Sequence, residues 1–226
     1  MILGRAFAIA LLATASLATA STGPSDKGRR SARPAKSAFR ADAKWRLGDF
    51  LELSRRDPDR LVKLGKAYFS EDRLRRSSRE TKLVFEWQDR IAIVGALSDF
   101  FDPAAETALG ARRAHFRKEA KALLVRAVLD DTSLLVRDAA VEAIRRVQRM
   151  QPGLNRDWLA PLVKAFEDDR NVIEGEGLFI RETILTALRE GSHPLSAAVR
   201  RSARRDRNPQ VRELIKAWDT SAYGKL

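Results

Sequence analysis

Two stretches of the chain, LLVRAVLDD (123–131) and PLVKAFEDD (161–169), share one outline: apolar residues, a basic residue, more apolar residues, then two aspartates. The segments after them also correspond. LLVRDAAVEAI (134–144) lies beside LFIRETILTAL (178–188), so that Arg137 aligns with Arg181 and Ala143-Ile144 with Ala187-Leu188. A third copy, DRNPQVRELIKAW (206–218), puts Arg212 in the same place, and a fainter one, DRIAIVGAL (89–97), puts Arg90 there. The four arginines are 47, 44 and 31 residues apart. Repetition at this spacing constrains the fold more than any other feature. Each copy is one small unit that cannot bury its apolar face alone, so neighbouring units must stack on it.

The periodicity within each copy is helical. In 134–150, Val136, Ala139, Ala140, Ala143, Ile144 and Val147 fall on one stripe at steps of three and four. Asp138, Glu142, Arg145 and Arg149 fall opposite, facing water or a binding partner. The pattern starts near Trp45, and no sustained two-residue alternation suggests a strand. Turn signals at Asp57-Pro58, Asp102-Pro103, Gln151-Pro152-Gly153, GSHP (191–194) and Asn208-Pro209 divide the chain into helices with short joints. The expected fold class is therefore all-α, built of about four stacked helical hairpins. Trp45, Trp87, Trp158 and Trp218 are expected in the core or at its ends.

With the proline of WLAPLVKAFEDD and the D-x-N-P-x-V-R opening of the last helix in view, the repeats resemble HEAT repeats over most of 61–218. That likeness implies an α-solenoid. It also implies a polar ladder linking neighbouring units, formed by Asp131 with Arg137 and Asp206 with Arg212, with Arg90, Asp169 and Arg181 at the corresponding places. The groove lined by second helices would then bind a protein partner, with Asp138, Glu142, Arg145, Arg149, Glu182 and Arg189 on its surface. Two departures stand out. The first copy has a long joint, and the first helix of the last copy, PLSAAVRRSARR, is short of large apolar residues, as an end cap would be.

The N-terminus has a different character. Arg5, an apolar run from Ala6 and the Ala18-Thr19-Ala20 site make residues 1–20 a secretory signal pattern. The expected location is thus outside the cytoplasm, in a bacterial periplasm or the extracellular space. The absence of cysteine removes disulfides, thiolate metal sites and thiol nucleophiles from consideration. Residues 21–46 carry eight Lys/Arg against two Asp, with almost no large apolar side chain, and read as a disordered basic linker ahead of a helical domain at 47–226. The whole chain has 43 basic and 30 acidic residues, a formal net charge of +13. Such a balance speaks of partners rather than fold. Arg200, Arg201, Arg204 and Arg205 would form a phosphate-contacting ridge, giving an alternative role as a basic adaptor for an anionic envelope polymer, lipid or nucleic acid. Export argues against nucleic acid.

Catalytic chemistry finds little support. His115 and His193 are the only histidines, and His193 beside Ser192 in GSHP reads as a turn residue. The acidic groups at 130–131, 167–169 and 174–176 lack the alternating ligand spacing of a calcium loop, so no metal or other cofactor is expected. IEGEG (173–177) is not followed by Lys-Ser/Thr and is not a phosphate loop. A glycosylase- or hydrolase-like enzyme on a helical-repeat fold is the third reading, behind the two binding roles. The interval from the aspartate to the arginine is six residues in the second and fourth copies but twelve from Asp169 to Arg181. The acidic glycine segment thus reads as an enlarged turn at a binding edge, with Glu174 and Glu176 offered to a partner and Leu178 and Phe179 docking the loop.

Overall fold

Alternation of capping residues with apolar stripes divides the chain into ten α-helices among the described residues. The computed structural model describes 47–77, 86–105, 109–172, 180–193 and 195–220, and no strand occurs among them. The helices are α1 (Leu47–Arg56), α2 (Pro58–Tyr68), α3 (Glu71–Ser77), α4 (Trp87–Ser98), α5 (Arg113–Asp130), α6 (Leu134–Met150), α7 (Arg156–Glu167), α8 (Ile180–Glu190), α9 (Ala197–Arg204) and α10 (Pro209–Thr220). The signal pattern (1–20), the basic linker (21–46) and the enlarged turn with Glu174, Glu176, Leu178 and Phe179 lie outside the described residues.

Local chemistry starts these helices where the turn signals stand. At α2, Asp57 Oδ1 accepts from the Arg60 N–H at 3.0 Å and Pro58 occupies the first position, where a missing N–H costs nothing. At α9, Ser196 Oγ accepts from the Val199 N–H at 3.2 Å. In α6, Val136, Ala140, Ala143, Ile144 and Val147 are buried, whereas Ala139, grouped with them by periodicity, is half-buried. The buried core runs from Phe50 to Trp218 and takes in Trp158 and Phe166, both fully covered. Each such large side chain contributes about 1.5–3 kcal/mol. Trp87 is half-buried, and Trp45 is outside the described residues.

The helices pack as two rows. In the first row α2 lies against α5, α5 against α7, and α7 against α9. In the second row α1 lies against α4, α4 against α6, α6 against α8, and α8 against α10. Across the rows, α2 pairs with α4, α5 with α6, α7 with α8, and α9 with α10. The small first-row helix α9 buries only Val199 and Ala203, in keeping with its poverty of large apolar residues.

Polar links join one pair to the next at the N-terminal ends of the second-row helices. The Arg90 guanidinium of α4 meets Asp131, with Nε 2.8 Å from Oδ2 and Nη2 donating to Oδ1 at 3.3 Å. Both side chains are almost completely buried. Burial pushes the Asp131 carboxyl up, while Arg90 and the Ser133 N–H oppose that shift. Arg181 of α8 meets Asp206 in the same way, with Nε 3.1 Å from Oδ2. Its guanidinium also lies over the Phe166 ring, 4.1 Å from the centroid.

Each of these two aspartates has a second task, since its Oδ1 accepts the N–H two residues on, from Ser133 or Asn208, at 2.8 Å. In the third pair the two tasks are divided. Asp168 accepts the Arg170 N–H at 2.9 Å, and Asn171 accepts from Arg137 Nε at 2.8 Å. Asp169, aligned with Asp131 by sequence, stands exposed between them. The buried acceptor thus stands two residues after the aligned Asp169, and an amide replaces the carboxylate. Arg137 and Arg212 also donate to the carbonyl six residues back, of Asp131 (2.7 Å) and Asp206 (2.6 Å). Arg212 has no following pair to reach among the described residues.

Candidate binding surface

Two neighbouring second-row helices, α6 and α8, bring most of the expected groove residues together. Asp138, Glu142, Arg145 and Arg149 succeed one another at helical spacing along α6, and α8 supplies Glu182, Arg189 and Glu190 beside them. The acidic end of this strip is under electrostatic tension. Burial pushes the Asp138 carboxyl up and the Glu142 charge adds to that, while a Thr183 hydrogen bond acts the other way. Asp138 Oδ1 is buried without a donor. Glu182 is likewise pushed up, first by burial and then by Asp138. Two carboxylates that both resist ionisation share one side of the α6–α8 contact.

The other end is held by ion pairs. Glu190 takes Arg145 through two contacts, Nε to Oε2 at 3.1 Å and Nη2 to Oε1 at 2.5 Å, and takes Arg149 Nη1 at 2.9 Å. Arg145 also donates to Glu142 at 2.5 Å. The two guanidiniums hold the Glu190 carboxyl below its ordinary value, Arg145 contributing most. Arg189 is exposed and has no carboxylate partner among the described residues. The sequence pattern does not single out Glu190, because its role is to answer two arginines of another helix. Periodicity within a single helix carries no signal of such a pairing.

The arginines of the C-terminal ridge divide in two. Arg200 and Arg204 both turn to Asp219 of α10, at 2.8 and 2.6 Å. Arg201 and Arg205 remain exposed with no carboxylate within ion-pair reach among the described residues. His193 directly follows the turn after α8, as expected from GSHP, and is buried there. Its Nε2 lies 3.3 Å from Gln148 Nε2, and the ring also bonds to the Asn155 backbone. An amide N–H can only donate, so the facing ring nitrogen is the unprotonated acceptor, and burial lowers the His193 pKa accordingly. Asn155 Nδ2 donates to the Gly191 carbonyl at 3.2 Å, completing a polar joint between the C-terminal ends of α6 and α8. His115 is exposed on α5. No group of three His, Asp or Glu residues among those described is placed to hold a metal ion.

No family model, curated protein or solved structure matches this chain.

Proposed function

We propose that this chain is an exported, non-catalytic HEAT-like α-solenoid that binds a protein partner along the face formed by α6 and α8. The two-row packing and the recurring arginine links between successive pairs support the solenoid reading. The observation that carries the binding reading is the tension at Asp138 and Glu182. These are two neighbouring carboxyls raised by burial, and one buried oxygen there lacks a donor. A lysine or arginine from a partner would relieve the repulsion between these carboxyls, so the partner segment is basic at this end. At the other end, the exposed Arg189, outside the Glu190 ion pairs, favours an acidic group. The face thus selects an orientation as well as a sequence.

Crosslinking followed by capture from the envelope fraction tests this. The wild-type chain should retain a partner that Glu142→Lys/Glu182→Lys loses at least about tenfold, the cost of one desolvated charge contact being about 1.4 kcal/mol or more. Equal capture by both proteins would rule out the α6–α8 face as the binding surface.

A further inference from the structure

The exposed residues of the first row carry a pattern that the second row lacks. On α5, Lys118, Ala122 and Arg126 are exposed at steps of four. On α7, Arg156, Ala160 and Lys164 repeat that order of cation, alanine, cation. At the ends of the row, Lys63 and Ala67 on α2 and Ala197, Arg201 and Arg205 at α9 are also exposed at steps of four. None of these cations has a carboxylate within ion-pair reach among the described residues; Arg126 donates only to the Phe69 carbonyl at 3.2 Å. Lys118 and Arg126 border a shallow depression with Lys121, Ala122, Val125 and a single carboxylate, Asp130.

Charge is divided unevenly between the rows. The helices α2, α5, α7 and α9 hold thirteen Lys/Arg against five Asp/Glu. The helices α1, α4, α6, α8 and α10 hold eleven against nine. In the second row most cations are taken by neighbours, as Arg90 is by Asp131, Arg145 by Glu190 and Arg146 by Asp99.

We infer that the first-row face is a docking surface for an anionic lipid bilayer, separate from the α6–α8 face. Its geometry is that of a two-dimensional array. Cations eight residues apart on one helix are about 12 Å apart, and neighbouring helices are about 8–10 Å apart. Charge therefore covers an area instead of tracing a line, which suits a plane of headgroups better than a single polymer strand. The alanines between the cations leave the charged groups as the highest points of the surface. Among the described residues the one exposed large apolar side chain is Leu51, on α1 in the other row. The first row therefore offers no aromatic platform for stacking single-stranded bases and no apolar wedge for insertion. No described helix is long and apolar enough to cross a membrane. Attachment is by charge at the surface, additive over cations and weakened by salt.

Vesicle co-sedimentation of the full chain decides this. Phosphatidylcholine vesicles containing about one-third phosphatidylglycerol should bind it at low salt, and phosphatidylcholine alone should not. The variant Lys63→Gln/Lys118→Gln/Lys164→Gln/Arg201→Gln removes one cation from each first-row helix. It should lose several hundredfold in affinity, at about fivefold per cation. The control Arg55→Gln, which removes a second-row cation outside any ion pair, should stay within about twofold. If the fourfold variant loses helix content, Lys118→Gln alone should still lose about fivefold. Retained binding by the fourfold variant would assign adsorption to residues 21–46 and overturn the inference. So would an equal loss per cation in the control, equal binding to neutral vesicles, or tighter binding to duplex DNA at matched phosphate concentration.

Discussion

The two rows of helices use their cations in different ways. In the second row, arginine is mostly an internal connector: Arg90 is sealed against Asp131, Arg137 reaches Asn171 and Arg181 reaches Asp206. In the first row, Lys63, Lys118, Lys164 and Arg201 stand in solvent with no acid to answer them. Sequence position alone does not distinguish these groups, since all lie on amphipathic helices. What separates them is burial. A guanidinium removed from water must find a carboxylate or carbonyl, whereas an exposed cation remains available to a partner.

The largest expected effect in this comparison is therefore on stability, and in the second row. Arg90→Met leaves Asp131 buried without its counter-charge and should cost about 3–5 kcal/mol in urea unfolding, while Lys164→Gln should stay within about 0.5 kcal/mol. If the two cost the same, the distinction between the rows fails. Next comes the joint at the C-terminal ends of α6 and α8. A Cβ on Gly191 would stand 2.4 Å from Gln148 Nε2 and 2.6 Å from His193 Nε2. Gly191→Ala should then destabilise by about 1–3 kcal/mol, as crowding of a packed site does. A neutral result would show that the joint is loose.

Smaller effects sharpen the contrast within the second row itself. Glu190→Gln removes the acceptor shared by Arg145 and Arg149 and should cost about 0.5–1 kcal/mol, since the group is partly solvated. The Glu190 carboxyl is held low, so its contribution is present above the ordinary glutamate value and is lost as pH falls through the folded-state value. Asp138 has the opposite sign. Its folded pKa is raised, so the stability it contributes is full only below the unfolded value, about 3.9, and is lost as pH rises through the folded value. Asp138→Asn should accordingly raise the melting temperature at neutral pH, with a gain that disappears at about pH 4 and below. A variant that melts lower at neutral pH would remove the tension on which the proposed binding face rests. His193 has a lowered pKa, so its contribution is present above about 6.5 and is lost as pH falls through its folded value.

Much of the helical framework was legible because its signals are local. The steps of three and four in 134–150, the Asp57-Pro58 start and the Asn208-Pro209 start all act within a few residues, and each stands at a helix or its cap. Repetition singled out the residues of the Arg90–Asp131 and Arg181–Asp206 contacts but not their pairing: the likeness couples Asp131 with Arg137 and Asp206 with Arg212, whereas each carboxylate meets the arginine of the preceding copy. Where repetition is broken, alignment misses the residue as well. In the third copy the acceptor for Arg137 is Asn171, not the aligned Asp169. Glu190 and the Gln148–His193 contact were hidden because each links two helices through side chains about 40 residues apart or more, as the 41- and 45-residue separations record. The division of charge between rows was present in the sequence all along, yet it emerges only when the helices are sorted by their neighbours.

A double-mutant cycle on Arg90 and Asp131 tests most directly whether buried arginines bind one helical pair to the next. Arg90→Met, Asp131→Asn and the double variant would be unfolded in urea, the asparagine keeping an acceptor for the Ser133 N–H. A coupling energy of about 2 kcal/mol or more is predicted, with the double variant recovering much of the stability lost in Arg90→Met. Single effects that add to within about 0.5 kcal/mol would contradict the ladder as the bond between pairs.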